Sequence, residues 1–395
     1  MVKKLLHPIF VHPIKEWAED GKLSGILLVL ATLLSIFLTN FEATKEAYQN
    51  IWQVQVGAGM LEKSLGHWIN DGLMVLFFFL VGLEIKRELL KGELSDMQKA
   101  ILPATAAIGG LLVPALIFMA FNWGTPYMDG WAIPTATDIA FSLGVLSLLG
   151  KRVPLALKVF LTALAIIDDL AAILIIAVFY SSGIKLAMLG LAVLVMGVLF
   201  LLNKGGVKQM TPYAILGFVL WFLILKSGIH ATIAGVLLAL TIPLSKVEDL
   251  EHALHKPIHY GVLPIFALAN TAILIPFDEV GMLFSNLSYG IVFGLMFGKP
   301  LGIFVTTFIA IKVGWAKQPS NVTWFQILGI GFTAGIGFTM SLFIASLSFP
   351  EGSLLNVAKL AILIGSVFSA IIGLIILGIA AKPAAEADEE DTYVH

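Results

Sequence analysis

Two adjacent aspartates, Asp168 and Asp169, lie in the middle of the apolar run "LTALAIIDDLAAILIIAVFY". The nearest other charged residue is Lys158, ten residues before Asp168. Ionisable groups within an apolar span are costly, face the protein interior and usually have a function. Neighbouring residues on a helix point about 100° apart, so the two carboxylates must face different partners. One of them can therefore line a cation site while the other contacts a positive charge.

Two further charges lie deep in apolar segments. Asp138 follows Pro134 in "GWAIPTATDIAFSLG", and Lys299 lies in "GLMFGKPLG". Lys299 is a candidate counter-ion for one of the paired aspartates, whereas Lys158 is expected to reach the membrane surface. Asp138 and Lys299 could take part in transport, or they could offset the charged ends of broken helices.

Carboxylate oxygens bind both protons and hard cations, and cations require the ionised form. A proton and a cation would then compete for the oxygens of the aspartate pair. Competition at one site, combined with alternating access, is sufficient for an exchanger. A purely structural buried ion pair is the alternative, but it requires one carboxylate rather than two.

The composition is that of a polytopic membrane protein. Of the 395 residues, 58% are hydrophobic and 13% are charged, whereas a soluble domain carries about 25% charged residues. The net charge of −2 provides no basic face for nucleic acid. The absence of cysteine excludes disulfides, thiolate nucleophiles and cysteine metal sites. We expect no cofactor and no enzymatic activity.

Because a spanning helix requires about 20 mostly apolar residues, the sequence predicts an all-α fold with twelve transmembrane helices. Alternating the spans from a cytoplasmic N-terminus places seventeen of the 24 lysines and arginines in the cytoplasm. This bias predicts that both termini are cytoplasmic. We also expect an interfacial helix before the first span and a disordered acidic tail. The predicted spans are 22–40, 69–90, 100–121, 131–149, 154–180, 184–202, 212–227, 230–244, 258–276, 287–311, 325–348 and 355–380.

Two of these spans contain residues that interrupt helices. Pro134 breaks the hydrogen-bond ladder of the fourth span, where Thr135 and Thr137 offer alternative partners. The eleventh span contains four glycines, Gly329, Gly331, Gly335 and Gly337. Broken helices persist in membranes only inside protein or beside a water-filled cavity, and they indicate the binding site of a transporter.

The first predicted outside loop contains the hairpin pattern "NIWQVQVGAGML". An isolated hairpin is marginally stable in water. We therefore expect it to pair with a second subunit, giving a homodimer; an ordinary ordered loop is the alternative.

Five motifs occur in order along the chain: "AIPTATDIAF", "LTALAIIDDLAAI", "LKSGIHATIAGV", "FGKPLGI" and "GIGFTMSLFIASLSF". From about residue 7 to residue 380 the sequence resembles the NhaA family of bacterial sodium/proton antiporters. The resemblance implies inverted-topology repeats with crossed broken helices four and eleven. It also implies an inner-membrane homodimer joined through an outside β-hairpin and surrounded by membrane lipid.

The resemblance further implies a division into domains. Segments 100–181 and 287–381 would be the two core repeats, spans 3–5 and 10–12. Segments 1–99 and 182–286 would form an interface domain, and 382–395 would be a disordered tail.

By the same resemblance, Asp169 is the expected ion ligand and Asp168 the expected partner of Lys299. Thr137 and Asp138 would support the ion, so that sodium would lie among Asp169, Asp168 and Thr137. The implied activity is electrogenic export of sodium, or lithium, in exchange for protons.

The pH response of such proteins is attributed to charged residues in the cytoplasmic funnel. The matching positions are divided between two stretches, "GLEIKRELLKGE" and "DLEHALHKP". A solvated charged rim is the alternative for these residues, and a hydrogen-bonded histidine at a helix start is the alternative for His230. The candidates are Glu84, Lys86, Arg87, Glu88, Glu251, His252, His255 and His230.

Three other classes of membrane protein fit the sequence less well than an exchanger does. A sodium-coupled solute symporter of similar fold is the alternative function, but no arginine lies deep in a span to hold an organic anion. A channel would need no protonatable pair. An intramembrane aspartyl protease needs its two aspartates on separate helices, which adjacent residues exclude.

Overall fold

A computed structural model describes residues 21, 23–181, 183–275, 277–319 and 321–380. The chain is mostly helical, as expected for a polytopic membrane protein. Apart from residue 21, the predicted interfacial helix lies outside the described residues, and so does the acidic tail.

Fifteen helices are numbered here in chain order. The first eight are α1 (Leu23–Asn40), α2 (Lys45–Gln53), α3 (Leu65–Leu90), α4 (Met97–Asn122), α5 (Ile139–Ser147), α6 (Leu155–Phe179), α7 (Leu186–Lys204) and α8 (Met210–Ser227). The others are α9 (Ile233–Thr241), α10 (Leu244–Pro257), α11 (Leu263–Asn270), α12 (Asn286–Val313), α13 (Trp324–Ala334), α14 (Phe338–Ser348) and α15 (Ser353–Ala380).

A short antiparallel pair of strands precedes α3. Strand β1 (Gln55–Val56) pairs with β2 (Lys63–Ser64), with Gln55 opposite Ser64. Strand β1 lies in the stretch "NIWQVQVGAGML" that predicts a hairpin and β2 follows that stretch, while a role in dimerisation stays a prediction.

Among the described residues, eight helices are long and apolar enough to cross a membrane, and the bent pair α13 and α14 makes a ninth segment. These segments agree with the predicted polytopic membrane class. The other three predicted spans, 131–149, 230–244 and 258–276, contain the short helices α5, α9 and α11. The total of twelve spans therefore stays a prediction.

Prolines account for two irregular turns inside the helices. A π-helical turn covers Gly294–Gly298 within α12, and another covers Ile258–Val262 before α11. Pro300 and Pro264 follow these turns. A proline donates no backbone hydrogen bond and its ring clashes with the carbonyl four residues earlier, which lies within the turn in both cases. The wider turn relieves this conflict, and in α12 it lies immediately before Lys299.

The chain divides into two compact units. Of the described residues, the first unit comprises 21, 23–29, 92–169, 275, 277–319 and 321–380, and the second comprises 30–91, 170–181 and 183–274.

Within the first unit, α4 and α12 pack at backbone distance. A Cβ atom at Gly109 would lie 2.3 Å from the carbonyl oxygen of Gly302, and one at Gly302 would lie 2.0 Å from that of Gly109. Small residues allow such close approach, which is how helices pack in membranes.

Within the second unit, α3 and α9 approach in the same way. A Cβ atom at Gly235 would lie 2.3 Å from the carbonyl oxygen of Val75. One at Gly82 would lie 2.7 Å from the side chain of Ala239. This packing holds the short helix α9 against the charged end of α3.

Candidate functional site

The helical segment from Trp324 to Ser348 is interrupted at its centre. Helix α13 ends at Ala334, α14 begins at Phe338, and the two helices are bent by 45°. A Cβ atom at Gly335 would lie 2.5 Å from the carbonyl oxygen of Leu295, so the break can pass this close to α12 only with glycine. The interruption exposes backbone groups that need partners within the protein.

A second interrupted segment supplies several of those partners. It consists of a 3-10 helix (Met128–Thr135), an extended stretch at residues 136–138, and α5. The hydroxyl of Thr137 donates to the carbonyl of Ala334 (2.9 Å). The backbone N–H of Asp138 donates to the carbonyl of Ile336 (2.7 Å). The two interruptions therefore satisfy each other's backbone groups.

Asp138 links the starts of two helices. Its Oδ1 accepts the N–H of Phe141 in α5 (2.9 Å), and its Oδ2 accepts the N–H of Thr339 in α14 (3.0 Å). The hydroxyl of Thr339 donates to the same Oδ2. A buried carboxylate at two helix N-termini is stabilised by both partial positive charges. This position fits the helix-end role considered for Asp138, and a direct part in transport stays a prediction.

Lys299 is fully buried in α12. Its Nζ donates to Oδ2 of Asp168 (2.7 Å) and to the carbonyl of Thr135, which ends the 3-10 helix. The lysine thus pairs with one aspartate of the pair and satisfies the carboxyl-terminal end of a broken segment. These contacts fit the counter-ion and helix-end roles considered for Lys299, and a direct part in transport stays a prediction.

Asp169 is 3% exposed and lies within electrostatic reach of Lys299. Asp168 receives the hydrogen bond from Lys299, and Thr137 lies beside the Asp168 carboxylate. One lysine charge can offset only one of the two adjacent carboxylate charges. With all three groups ionised, one net negative charge remains among these side chains to attract a metal cation, and the two carboxylates can instead take up two protons.

Sequence reasoning missed several hydroxyl groups at this site. Thr339 bonds Asp138, Ser142 donates to the carbonyl of Thr333 (2.9 Å), and Ser341 donates to that of Ile133 (2.7 Å). Each hydroxyl follows an interruption by a few residues. Polar residues just after a proline or glycine break are the signal that could have identified them.

A second cluster lies within the other unit, between α3 and α10. Arg87 Nε contacts Oε2 of Glu251 (2.8 Å), and Arg87 Nη1 contacts Oε1 of Glu88 (2.9 Å). Glu84 lies within electrostatic reach of all three. Four of the pH-response candidates are therefore close together.

Glu251 lies on α10, between two predicted spans. Burial raises the pKa of Glu251 to about 7, although the guanidinium of Arg87 acts in the opposite direction. The negative charges of Glu88 and Glu248 raise it further. Glu251 can consequently change its charge near neutral pH.

The other candidates have different surroundings. Lys86 donates to the carbonyls of Leu240 (2.7 Å) and Ile242 at the end of α9, which indicates a structural task at that helix end. His252 is exposed, and the ring of His255 lies 4.1 Å from that of His259.

His230 lies outside the Arg87 cluster. Its Nε2 lies 2.8 Å from the carbonyl oxygen of Tyr180. This contact favours the structural interpretation of His230 as a hydrogen-bonded histidine at a helix start.

Residues 15–377 match the family described as "Na+/H+ antiporter 1". The chain is similar to "Na(+)/H(+) antiporter NhaA 2" of Erythrobacter litoralis, with 47% identity covering 95% of this chain and 96% of the relative. It is also 47% identical to "Na(+)/H(+) antiporter NhaA" of Cytophaga hutchinsonii, covering 93% and 95%. The protein of that name from Escherichia coli is 48% identical, covering 91% and 96%. These matches confirm the family expected from the five motifs, and all three relatives are named antiporters rather than symporters.

Proposed function

The chain belongs to the Na⁺/H⁺ antiporter 1 family and exchanges sodium ions for protons as a multi-pass bacterial membrane protein, and we propose that it exports sodium electrogenically by alternating access. Lithium is the second expected cation. The protein needs no cofactor for this exchange, because sodium and protons are its substrates.

The observation that carries the proposed mechanism is the contact between Lys299 and Asp168. The Nζ–Oδ2 distance of 2.7 Å pairs this aspartate with the lysine. Asp169, on the next position of α6, points about 100° away. We assign Asp169 as the main cation ligand, with Asp168 and Thr137 contributing oxygens when the cation is bound.

Exchange follows from competition for these carboxylates. In one state the pair holds protons, and in the other it holds sodium. A cation that approaches from the cytoplasm displaces the protons, and protons from outside displace the cation. The same carboxylates cannot hold the protons and the sodium ion at once, and this exclusion couples the flux of protons to that of sodium.

The broken segments give the site a polar environment without lipid contact. Asp138 and Thr339 stabilise two helix N-termini, and Lys299 satisfies the carbonyl of Thr135. We propose that these contacts fix the two breaks relative to each other, so that the ion ligands keep their geometry during transport. In this role Asp138 is a positioning residue.

We extend the proposal to the architecture. The chain would have twelve spans in two inverted repeats, 100–181 and 287–381, that move against an interface domain. Segments 1–99 and 182–286 would form that interface domain. Both termini would be cytoplasmic, in the inner membrane, and β1 and β2 would join two subunits into a lipid-embedded dimer.

We also propose that the cluster around Arg87 regulates the exchange by pH. Arg87 pairs with Glu251 across α3 and α10, and Glu84 and Glu88 add negative charge nearby. Loss of a proton from Glu251 near neutral pH strengthens its pairing with Arg87 and changes how the two helices are held.

Asp168→Asn and Asp169→Asn test the site directly. Each substitution keeps the side-chain shape but removes a carboxylate that must alternate between proton and sodium. We expect each variant to insert and fold but to lose sodium-driven proton flux in proteoliposomes. Asp249→Asn, at an exposed position on α10, is the matched control and should retain flux. Flux near that of the wild type in either site variant would refute the assignment.

A further inference from the structure

One face of α6 carries a row of residues that leads to Asp169. Lys158, Thr162, Ala165 and Asp169 are spaced by four, three and four residues. Residues seven apart on a helix differ in direction by only about 20°, so Thr162 lies almost directly in line with Asp169. Thr162 is nearer the end of α6 that the sequence predicts to be cytoplasmic.

Thr162 is 7% exposed, and its hydroxyl has no hydrogen-bond partner among the described residues. Helical threonines usually donate to the carbonyl four residues earlier. Thr105, Thr306 and Thr333 in this protein do so, at 2.9, 2.8 and 3.0 Å. The hydroxyl of Thr162 departs from that pattern, as does that of Thr307 in α12.

A buried polar group without a protein partner is costly, since its desolvation is not compensated. Such groups are satisfied by water or by an ion. Ala165 lies between Thr162 and Asp169 on the same face and is fully buried, and Thr162 and Asp169 are nearly so. The hydroxyl of Thr162 is thus a neutral oxygen enclosed within the protein and in line with Asp169.

We propose that the hydroxyl oxygen of Thr162 is a transient binding point for the transported alkali cation, about 10 Å along α6 from Asp169. This inference rests on the proposed function, because it assumes that the cation reaches Asp169 from this end of α6. A hard cation accepts neutral oxygens as ligands. The hydroxyl replaces part of the hydration shell before the ion reaches the carboxylates.

The test compares Thr162→Val with Thr162→Ser. Valine keeps the branched shape and removes the oxygen, whereas serine keeps the oxygen. In proteoliposomes we expect Thr162→Val to raise the sodium concentration for half-maximal proton flux by roughly two- to tenfold, the effect of one lost polar contact. Thr162→Ser should remain close to the wild type.

Thermal stability separates a binding role from a structural one. Removal of a hydroxyl without a protein partner should leave the Tm of Thr162→Val unchanged or raised. Thr105→Val is the matched control, since Thr105 donates within its own helix, and it should not alter the sodium dependence. An unchanged sodium concentration for half-maximal flux in Thr162→Val would overturn the inference. A raised half-maximal sodium concentration accompanied by a lower Tm would overturn it as well, because it would indicate a structural role.

The result is distinguishable from failure of the proposed function. If Asp169→Asn retains exchange, the ion site itself is wrongly assigned. If Asp169→Asn is inactive while Thr162→Val matches the wild type, the site stands and only the role of Thr162 is refuted.

Discussion

Lys299 is a buried lysine whose ammonium group joins a carboxylate to a broken helical segment. Lys299→Ala should leave Asp168 without its cation and the carbonyl of Thr135 without its donor. Breaking a buried pair by removing one partner costs about 3–5 kcal/mol. We expect a clear fall in Tm in detergent, with Lys208→Ala at an exposed position as the control.

A double variant separates the pair from other effects of the substitution. Asp168→Ala combined with Lys299→Ala removes both charges, so it should be less destabilised than Lys299→Ala alone. An unchanged Tm for Lys299→Ala would show instead that Lys299 is not a structural counter-ion.

Glu251 provides a prediction on pH. Its pKa is raised by burial to about 7, so the folded protein holds the proton more tightly than the unfolded chain does. The stability that protonated Glu251 gives the folded protein is fully present at a pH below the ordinary glutamate pKa of 4.5. It is lost as the pH rises through about 7. We expect Glu251→Gln to remove this loss of Tm between pH 5 and 8, and to flatten the pH dependence of exchange.

Asp249→Asn is the control for that experiment. The pKa of the exposed Asp249 is held below its ordinary value by its contact with Lys246, so it does not titrate in this window. If Glu251→Gln kept the pH profiles of both Tm and exchange, the proposed switch would be wrong.

The charges of the site could be found from sequence because charge deep in an apolar span is rare. Residue types alone left open which aspartate pairs with Lys299, and only the family resemblance named Asp168. Thr339 escaped notice because its task depends on the contact with Asp138, more than 200 positions away in the chain. The contacts of Lys86 with the end of α9 depend on tertiary packing in the same way.

At the scale of elements, the break between α13 and α14 depends on a close approach to α12. Gly335→Ala would place a Cβ atom 2.5 Å from the carbonyl oxygen of Leu295, a backbone atom that cannot easily move. Overpacking of this kind costs about 1–3 kcal/mol, so we expect a lower Tm and reduced flux. Gly190→Ala in α7 is the matched control, because a Cβ atom there has no neighbour within 4 Å. Equal Tm values for the two variants would contradict this account of the break.

The elements differ in how well the sequence predicted them. Long apolar helices such as α4, α6 and α15 follow from hydropathy alone. The predicted spans 230–244 and 258–276 were drawn as continuous segments, yet they contain turns and short helices. In the span 131–149, by contrast, Pro134 indicated an interruption that hydropathy alone would not show. Hydropathy measures the length of an apolar run and does not detect a change of helical geometry inside it.

At the scale of the whole molecule, the proposal concerns the charge moved in each cycle. If one sodium ion replaces the protons of two carboxylates, every cycle carries one net charge. A membrane potential then contributes about 2.3 kcal/mol per 100 mV to each turnover. A potential that is negative inside would draw protons inward and drive sodium outward, even against a reversed proton gradient.

Current after a sodium jump on a solid-supported membrane tests this central claim most directly. We expect a transient current in the wild type and none in Asp168→Asn or Asp169→Asn, because both carboxylates must release protons for net charge to move. Proton flux should be measured on the same proteoliposomes. Full proton flux without any charge movement would show that exchange is electroneutral, and would contradict the account of two carboxylates that exchange two protons for one sodium ion.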